Sequence, residues 1–589
     1  MPSLSSIAWY CTQKDVRAIY CLGFGFLAGM IYSIRLFGFS TILGTSEYWE
    51  MPAGTVDLPT AMSAYYWFVQ QPWTWPILHL IKPNPPGGAN AYLFDSGPAV
   101  LLAGSAVSAL RGHLFNPYPF WLALTFGLNS AALVGLVRSL GQRTLLAAFS
   151  AAILAALMPS VHHRFGHLLL LAHFLVVIPL AVWISAATGR LSAVRAAALL
   201  AATSWLAVFV NMYLWAMAAA IGLAAILHLA IDRRIKTSAA LAFGVVLLAS
   251  SPILLWLFGT LQALTTSTSS ARYGSHSMNL MSPWWPQTSA FGRMTGIWLL
   301  TRGSIGGTTG QYEGYNYLGL GVLLLILLAL IALRSQLMQI LRRWYILVFL
   351  MVLFFVFALS NEIYFGHLKV LTVPLPDLIT RDLLGRFRSS GRFFWPVGWL
   401  LVGIALAGVL TALRPGRAIM AVLIALMIQW TDLGWWRERI EARVLTPPSR
   451  AFGAETPWLE EAMKARGFAL GYPGYFCGVD SAYEGAKAVA LMELQLRAAR
   501  LNVSFPGVLL GQMLASCGPL ELPRNAAGRF EGVLLVMAEA SDHPSVLRET
   551  RDLTCRPVPV GLVCLDETID IAVTSERPEE SGGGATTSP

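Results

Sequence analysis

Two aspartates give the first sign of chemistry. Asp57 and Asp95 lie in residues 44–96, GTSEYWEMPAGTVDLPTAMSAYYWFVQQPWTWPILHLIKPNPPGGANAYLFDS, between apolar runs, and the only Lys or Arg there is Lys82. The same stretch carries Tyr65, Tyr66, Trp67, Phe68, Trp73 and Trp75. A carboxylate in partly dehydrated aromatic surroundings has a raised pKa, which suits it to take a proton from a hydroxyl. Trp73 offers a flat aromatic face for a ligand or an anchor at headgroup level, and the sequence leaves both uses open. A loop this long between helices reads as a working surface at a membrane–water boundary.

Three further clusters bring basic and polar groups. VHHRFGHLLLLAH holds His162, His163, Arg164, His167 and His173. His163 and His167, four apart, share a face if a helix starts early enough. The spacing resembles a zinc site, but no HExxH glutamate accompanies it. YGSHSMNLMSPWWP and QYEGYNYLGLG supply His276, Asn279, Glu313 and Asn316. RDLLGRFRSSGRFFWP supplies Arg381, Arg386, Arg388 and Arg392. Guanidinium groups grip phosphate with paired hydrogen bonds, so this run points to a phosphate. Plainer uses compete. Asp57 before Leu58-Pro59 suits a helix start, Glu313 a cap, and the arginines headgroup anchors. No Walker loop, GxSxG elbow or dinucleotide fingerprint is present, so ATP-driven transport and serine-hydrolase chemistry lack sequence support.

The frame that must hold these groups is a bilayer. Of 589 residues 56% are hydrophobic and only 12% charged, against about 25% charged in a soluble domain. Apolar runs near residues 18–38, 117–137, 143–158, 167–187, 194–211, 212–231, 237–261, 316–333, 344–360, 397–413 and 418–433 predict about eleven transmembrane helices. The first run has no clear cleavage site and is expected to stay as a span. Gly97–Leu110 is apolar but short and reads as re-entrant or interfacial. With it uncrossed, Arg138, Arg143, Arg190, Arg195, Arg233 and Arg234 all fall in cytoplasmic loops, and the formal charge of +10 reflects the positive-inside bias rather than a nucleic-acid partner. The N-terminus is then inside, and the loops at 41–116, 159–166, 262–315 and 361–396 are outside.

Charges return after residue 433 and short β-like runs appear. The expected organisation is an all-α polytopic membrane domain over 1–433 with its first outer loop at 41–116, a small extracytoplasmic α/β domain over 434–575, and a disordered polar tail over 576–589. Cys477, Cys517, Cys555 and Cys564 fall in that α/β domain without a CxxC pair, which suggests two disulfides in an oxidising compartment. Cys555 and Cys564 flank RPVPVGLV and can pair across a hairpin; pairing with Cys477 and Cys517 is equally allowed.

The outer motifs, in order, resemble those of the GT-C-type membrane glycosyltransferases. Asp57, Tyr66-Trp67-Phe68, Pro72-Trp73-Thr74-Trp75-Pro76 and Asp95-Ser96-Gly97-Pro98 look like that clan's first outer loop. HRFGH, YGSHSMNLMSP, GQYEGYNYLGLG, SSGRFFWPV and IQWTDL are most similar to an uncharacterised bacterial branch of the clan. The likeness covers about residues 40–435. Two features depart from the clan pattern: no adjacent acidic pair occurs, and Gly97 stands where a bulkier residue is expected.

The resemblance implies an inverting glycosyltransferase that takes a sugar from a polyprenyl-phosphate donor and passes it to an envelope polysaccharide or lipid acceptor, on the periplasmic face of a bacterial inner membrane. It implies Asp57 as the base and Asp95 as its assistant. His162, His163, Arg164, His167, Glu313, Arg388, Arg392 and Trp73 would surround the substrate. No metal ligand is assigned, and a divalent metal stays open as a cofactor. The alternative reading is a transporter or flippase of a lipid-linked saccharide, which would spread polar residues through the middle of the spans. Asn129, Asn211 and His228 are among the few such residues.

Overall fold

A computed structural model describes residues 16–52, 57–261, 272–297, 303, 305–446, 451–453, 456–473, 486–507 and 519–566. Cys477 and Cys517 lie outside the described residues. The chain forms two compact units. One is built chiefly of Met1–Ile81 and Pro86–Ser449, the other chiefly of Arg450–Val508 and Ala515–Pro589.

The larger unit is a bundle of apolar helices, as a multi-pass membrane protein requires. Among the described residues seven helices are long and apolar enough to cross a bilayer, including Ala18–Phe37, Tyr118–Ser139, Leu168–Ala187, Met212–Ile231 and Ser390–Ala412. The number rises to nine if Leu320–Leu333 with Leu337–Arg343, and Pro415–Asp432 with Gly434–Leu445, each count as one bent span. The expectation of eleven is therefore too high. All eleven apolar runs become helices, but Ala193–Val208 has 16 residues and Tyr345–Leu359 has 15. At ~1.5 Å per residue these reach ~24 Å or less, short of a ~30 Å hydrocarbon core. Pro98–Arg111, with 14 residues, is shorter still.

Close packing starts in the first span. A Cβ on Gly29 would lie 2.2 Å from the Phe126 carbonyl oxygen, so only glycine lets Ala18–Phe37 approach Tyr118–Ser139 this closely. Asn129 patches a break opposite: its amide donates to the Leu171 carbonyl at 2.8 Å, and its oxygen accepts from the Phe174 N–H at 2.7 Å. This lets the chain run from the short 3-10 turn Leu168–Leu171 into the helix Phe174–Ala187 without losing those hydrogen bonds.

The stretch expected to be an outer loop is largely ordered inward. Asp57–Gln70 is a helix, and Tyr65, Tyr66, Trp67 and Phe68 are buried in it. Tyr65 donates to the Phe115 carbonyl at 2.5 Å, and Tyr118 donates to the Ala61 carbonyl at 2.8 Å. These aromatics are core, and only Trp73 and Trp75 remain exposed.

The smaller unit is a mixed α/β fold with a four-stranded sheet. Ala469–Tyr472 pairs in parallel with Val533–Met537, the helix Ala486–Arg500 lying between them in sequence. Val533–Met537 then pairs antiparallel with Gly561–Leu565, which pairs with Thr554–Val558. Phe530, Leu534, Val536 and Cys564 form its core. Cys555 and Cys564 face each other across the last ladder and are joined by a disulfide.

Candidate functional site

His167 stands between the two aspartates named from the sequence. Its Nε2 lies 3.4 Å from Asp57 Oδ2, and its Nδ1 lies 4.0 Å from Asp95 Oδ2. Asp57 opens its helix, so its carboxylate sits where the first-turn amides leave positive charge. Asp95 has φ +55, a left-handed conformation that aspartate tolerates better than most residues. It is fixed from the side by Asn211, whose Nδ2 donates to Asp95 Oδ1 at 3.0 Å while its Oδ1 caps Met212–Ile231 through the Tyr213 N–H. Gly97 comes two residues on, at φ +63, and a Cβ there would meet the Val210 carbonyl oxygen at 3.0 Å and Leu169 at 2.7 Å. That crowding explains glycine where a bulkier residue was expected.

Beside this acidic group lies a buried cationic one. Glu313 Oε2 accepts from Arg392 Nη2 at 2.6 Å, from Ser389 Oγ at 3.0 Å and from Arg164 Nη1 at 3.3 Å. Arg164 also donates to the Glu313 backbone carbonyl. The Arg392 guanidinium rests 4.6 Å above the Tyr213 ring, and the Tyr213 hydroxyl accepts from the Ser389 N–H. Arg392 Nε is buried and has no hydrogen-bond partner among the described residues.

The electrostatics divide the site in two. Burial raises the Asp57 carboxyl above its usual value; His167 opposes this and Asp95 adds to it. Burial works against the His167 imidazolium, but Asp57, Asp95 and Glu313 outweigh it and hold its pKa above the usual histidine value. Glu313 shows the opposite outcome. Burial would raise it, yet Arg392 and Arg164 hold it well below the carboxylate range. Burial lowers Arg164 to about 10, where it is still charged at neutral pH. Burial and the charges of Arg388, Arg392 and Arg164 bring His276 down to about 4, so it is neutral. Access differs as well: the side chains of Asp57 and Asp95 are 36% and 30% exposed, that of Glu313 only 9%. The aspartates are partly open to their surroundings, whereas Glu313 is enclosed with the arginines.

A family defined by a domain of unknown function, DUF6311, matches residues 26–434 and takes in every one of these groups. The chain belongs to the DUF6311 family. No curated protein shows significant similarity to it.

Several residues named from the sequence have other work in this DUF6311 protein. His162 is buried, bonded to the Tyr32 hydroxyl at 2.7 Å and to the Met158 carbonyl at 2.9 Å. His163 packs against Tyr315 and Trp436. The helix Pro159–His163 ends before His167, so His163 and His167 do not share a helix face. Trp73 contacts Phe68 near the C-terminal end of Asp57–Gln70. That 14-residue helix is ~21 Å long, which puts Trp73 far from Asp57. There Trp73 lines a separate cavity of about 500 Å³ with Phe68, Gln71, Ser105 and His113. Arg388 is half-buried, accepts the His276 N–H through its carbonyl and acts on His276 by charge. Among the described residues no three His, Cys, Asp or Glu side chains are grouped to hold a metal ion. His167 presents different ring nitrogens to the two aspartates, so the three groups do not surround a common point.

The sequence reading missed the partnerships of Ser389, Tyr213 and Asn211. Asn211 could have been found, since Asn before an apolar run is a helix-start signal. Tyr213 and Ser389 carry no such signal.

Proposed function

We propose that this protein is a membrane glycosyltransferase that moves a sugar from a polyprenyl-phosphate donor to an acceptor of the cell envelope by a single inverting displacement. The observation that carries the reading is His167 held between Asp57 and Asp95, beside a guanidinium pair organised on Glu313. Asp57, with its raised pKa and accessible oxygen, takes the proton of the acceptor hydroxyl. The acceptor oxygen bonds to the anomeric carbon as the bond from that carbon to the phosphate oxygen breaks. The departing polyprenyl phosphate takes the bonding pair and is met by Arg392 and Arg164, whose positions are fixed by Glu313 and, for Arg392, by Tyr213. Asp95, fixed by Asn211, keeps His167 oriented and charged.

Charge supports an outer-face location in a bacterial inner membrane. Arg138, Arg143, Arg190, Arg233 and Arg234 flank the ends of Tyr118–Ser139, Leu145–His163, Leu168–Ala187 and Met212–Ile231 that lie opposite His167 and Asn211, and Arg195 lies in the first turn of Ala193–Val208. The Cys555–Cys564 bond supports a periplasmic setting for the smaller unit. A transporter reading draws less support from the mid-span polar groups, because Asn129 serves backbone groups and His228 accepts from Trp183 Nε1 at 2.9 Å.

The test is transfer of labelled sugar from a polyprenyl-phosphate donor by the purified protein in lipid, compared with Asp57→Asn. The reading holds if the wild type transfers and the variant still binds donor but does not turn over. Wild-type turnover in Asp57→Asn removes the mechanism.

A further inference from the structure

We infer that the hairpin Glu362–Thr372 is seated in the headgroup layer of the bilayer, as a lip beside the arginine cluster. Among the described strands, Glu362–Phe365 and Leu368–Thr372 pair only with each other. Phe365, Leu368, Val370 and Leu371 are all exposed, between 48% and 68%. Successive strand residues point to opposite faces, so Val370 and Leu371 put apolar side chains on both sides. One docked protein surface would cover one face. Leu368–Thr372 is exposed on both faces along its whole length, while Tyr364 of the other strand is buried, and that exposure fits a fluid apolar surrounding, which lipid supplies.

The hairpin's position agrees. It begins three residues after the end of the apolar helix Tyr345–Leu359, and its stem is closed there by the Val373 N–H donating to the Asn361 carbonyl at 2.8 Å. That helix has 15 residues, ~22 Å, and falls ~8 Å short of a ~30 Å hydrocarbon core. Local thinning of the bilayer to meet that end brings the hairpin to the acyl–headgroup boundary. The outer edge of Leu368–Thr372, which pairs with no described strand, keeps the hairpin at the acyl–headgroup boundary, where water and headgroups satisfy it, while on the other edge the Tyr364 carbonyl accepts from the Leu280 N–H at 2.9 Å. Lys369, paired with Glu362 at 3.1 Å, also suits that boundary.

The turn is tied to the site. Asn279 donates to the Gly366 carbonyl at 2.8 Å and accepts the Gly366 N–H at 3.0 Å. The same Asn279 amide donates to Gln311, in the turn that carries Glu313. From the other strand the chain runs on through exposed Leu378 and Leu383 to Arg388 and Arg392. On the proposed function, which this last step requires, the hairpin holds the isoprenoid tail of the donor while the arginines hold its phosphate.

Two measurements on the full chain in phosphatidylethanolamine–phosphatidylglycerol vesicles test this. First, a photoreactive benzophenone amino acid is placed at position 368 or 371, irradiated, and the peptide weighed. Adducts with deuterated phospholipid are expected. Adducts to a second copy of this chain, or none with lipid at either position, overturn the proposal. Second, the double variant Leu368→Asp, Leu371→Asp is expected to raise KM at least tenfold for a long-chain polyprenyl donor while leaving a short-chain soluble donor unaffected. An equal loss with both donors overturns the lip's role. Lipid adducts in a protein that transfers no sugar would sustain the membrane seat and overturn only the proposed function.

Discussion

Asp57 Oδ2 lies 3.4 Å from His167 Nε2, and the two groups raise each other's usefulness: the imidazolium keeps a carboxylate available, and the carboxylate keeps the imidazolium charged. With Asp57 as the proposed base, its removal costs rate rather than binding. Asp57→Asn is expected to lower kcat by about 10²–10⁴ with little change in donor affinity. Asp95→Asn acts through His167 and should cost less. Single-turnover kinetics with labelled donor separate the two.

The same pair sets a pH window. In the proposed mechanism the productive form has Asp57 ionised and His167 protonated. Asp57 is raised, so activity falls as pH drops through a value above the ordinary aspartate range. His167 is also raised, so activity falls on the alkaline side as pH climbs through a value above the ordinary histidine pKa. A bell-shaped kcat/KM profile is expected, and Asp95→Asn should move its alkaline limb down. A profile flat from mildly acidic to alkaline pH would exclude this pairing.

Glu313 carries the stability of the arginine cluster. Glu313→Gln leaves Arg164 and Arg392 buried with an uncompensated charge and is expected to cost roughly 3–5 kcal/mol, read as a lower unfolding temperature in detergent. Because Glu313 is depressed in the folded protein, its contribution is present above the ordinary carboxylate pKa and is lost only as pH falls through the much lower folded value. Arg392→Lys keeps the charge but loses the paired geometry and the stack on Tyr213, and should weaken donor binding about tenfold.

Gly97→Ala introduces a Cβ against the Val210 carbonyl at a left-handed position. About 1–3 kcal/mol of stability should be lost, and with Asp95 displaced, activity should fall more than Ala at a neutral surface position would cause.

Reduction of Cys555–Cys564 opens a short loop of nine residues' separation and should destabilise the smaller unit by roughly 2–3 kcal/mol. Mass spectrometry of unreduced protein should find these two linked.

Composition and run length, read from the sequence by itself, determined a helical multi-pass membrane chain, a mixed α/β unit after it, and the residue types of the site. Asp57, Asp95, His167, Arg164 and Arg392 were legible because carboxylates, imidazole and guanidinium beside apolar runs are costly unless used. The number of spans was not, because an apolar run shows its hydrophobicity but not where its helix stops, and Ala193–Val208 and Tyr345–Leu359 stop short. Nor were the roles. Tyr65, Trp67, His162 and Glu313 have the same residue types as interface and active-site groups, and only their neighbours made them core, core, structural and positioning residues. Periodicity encodes which face of an element is apolar; it carries no information on which distant residue will meet that face. The meeting of Asp57 with His167, far along the chain, and of Asp95 with Asn211 was decided by tertiary packing alone.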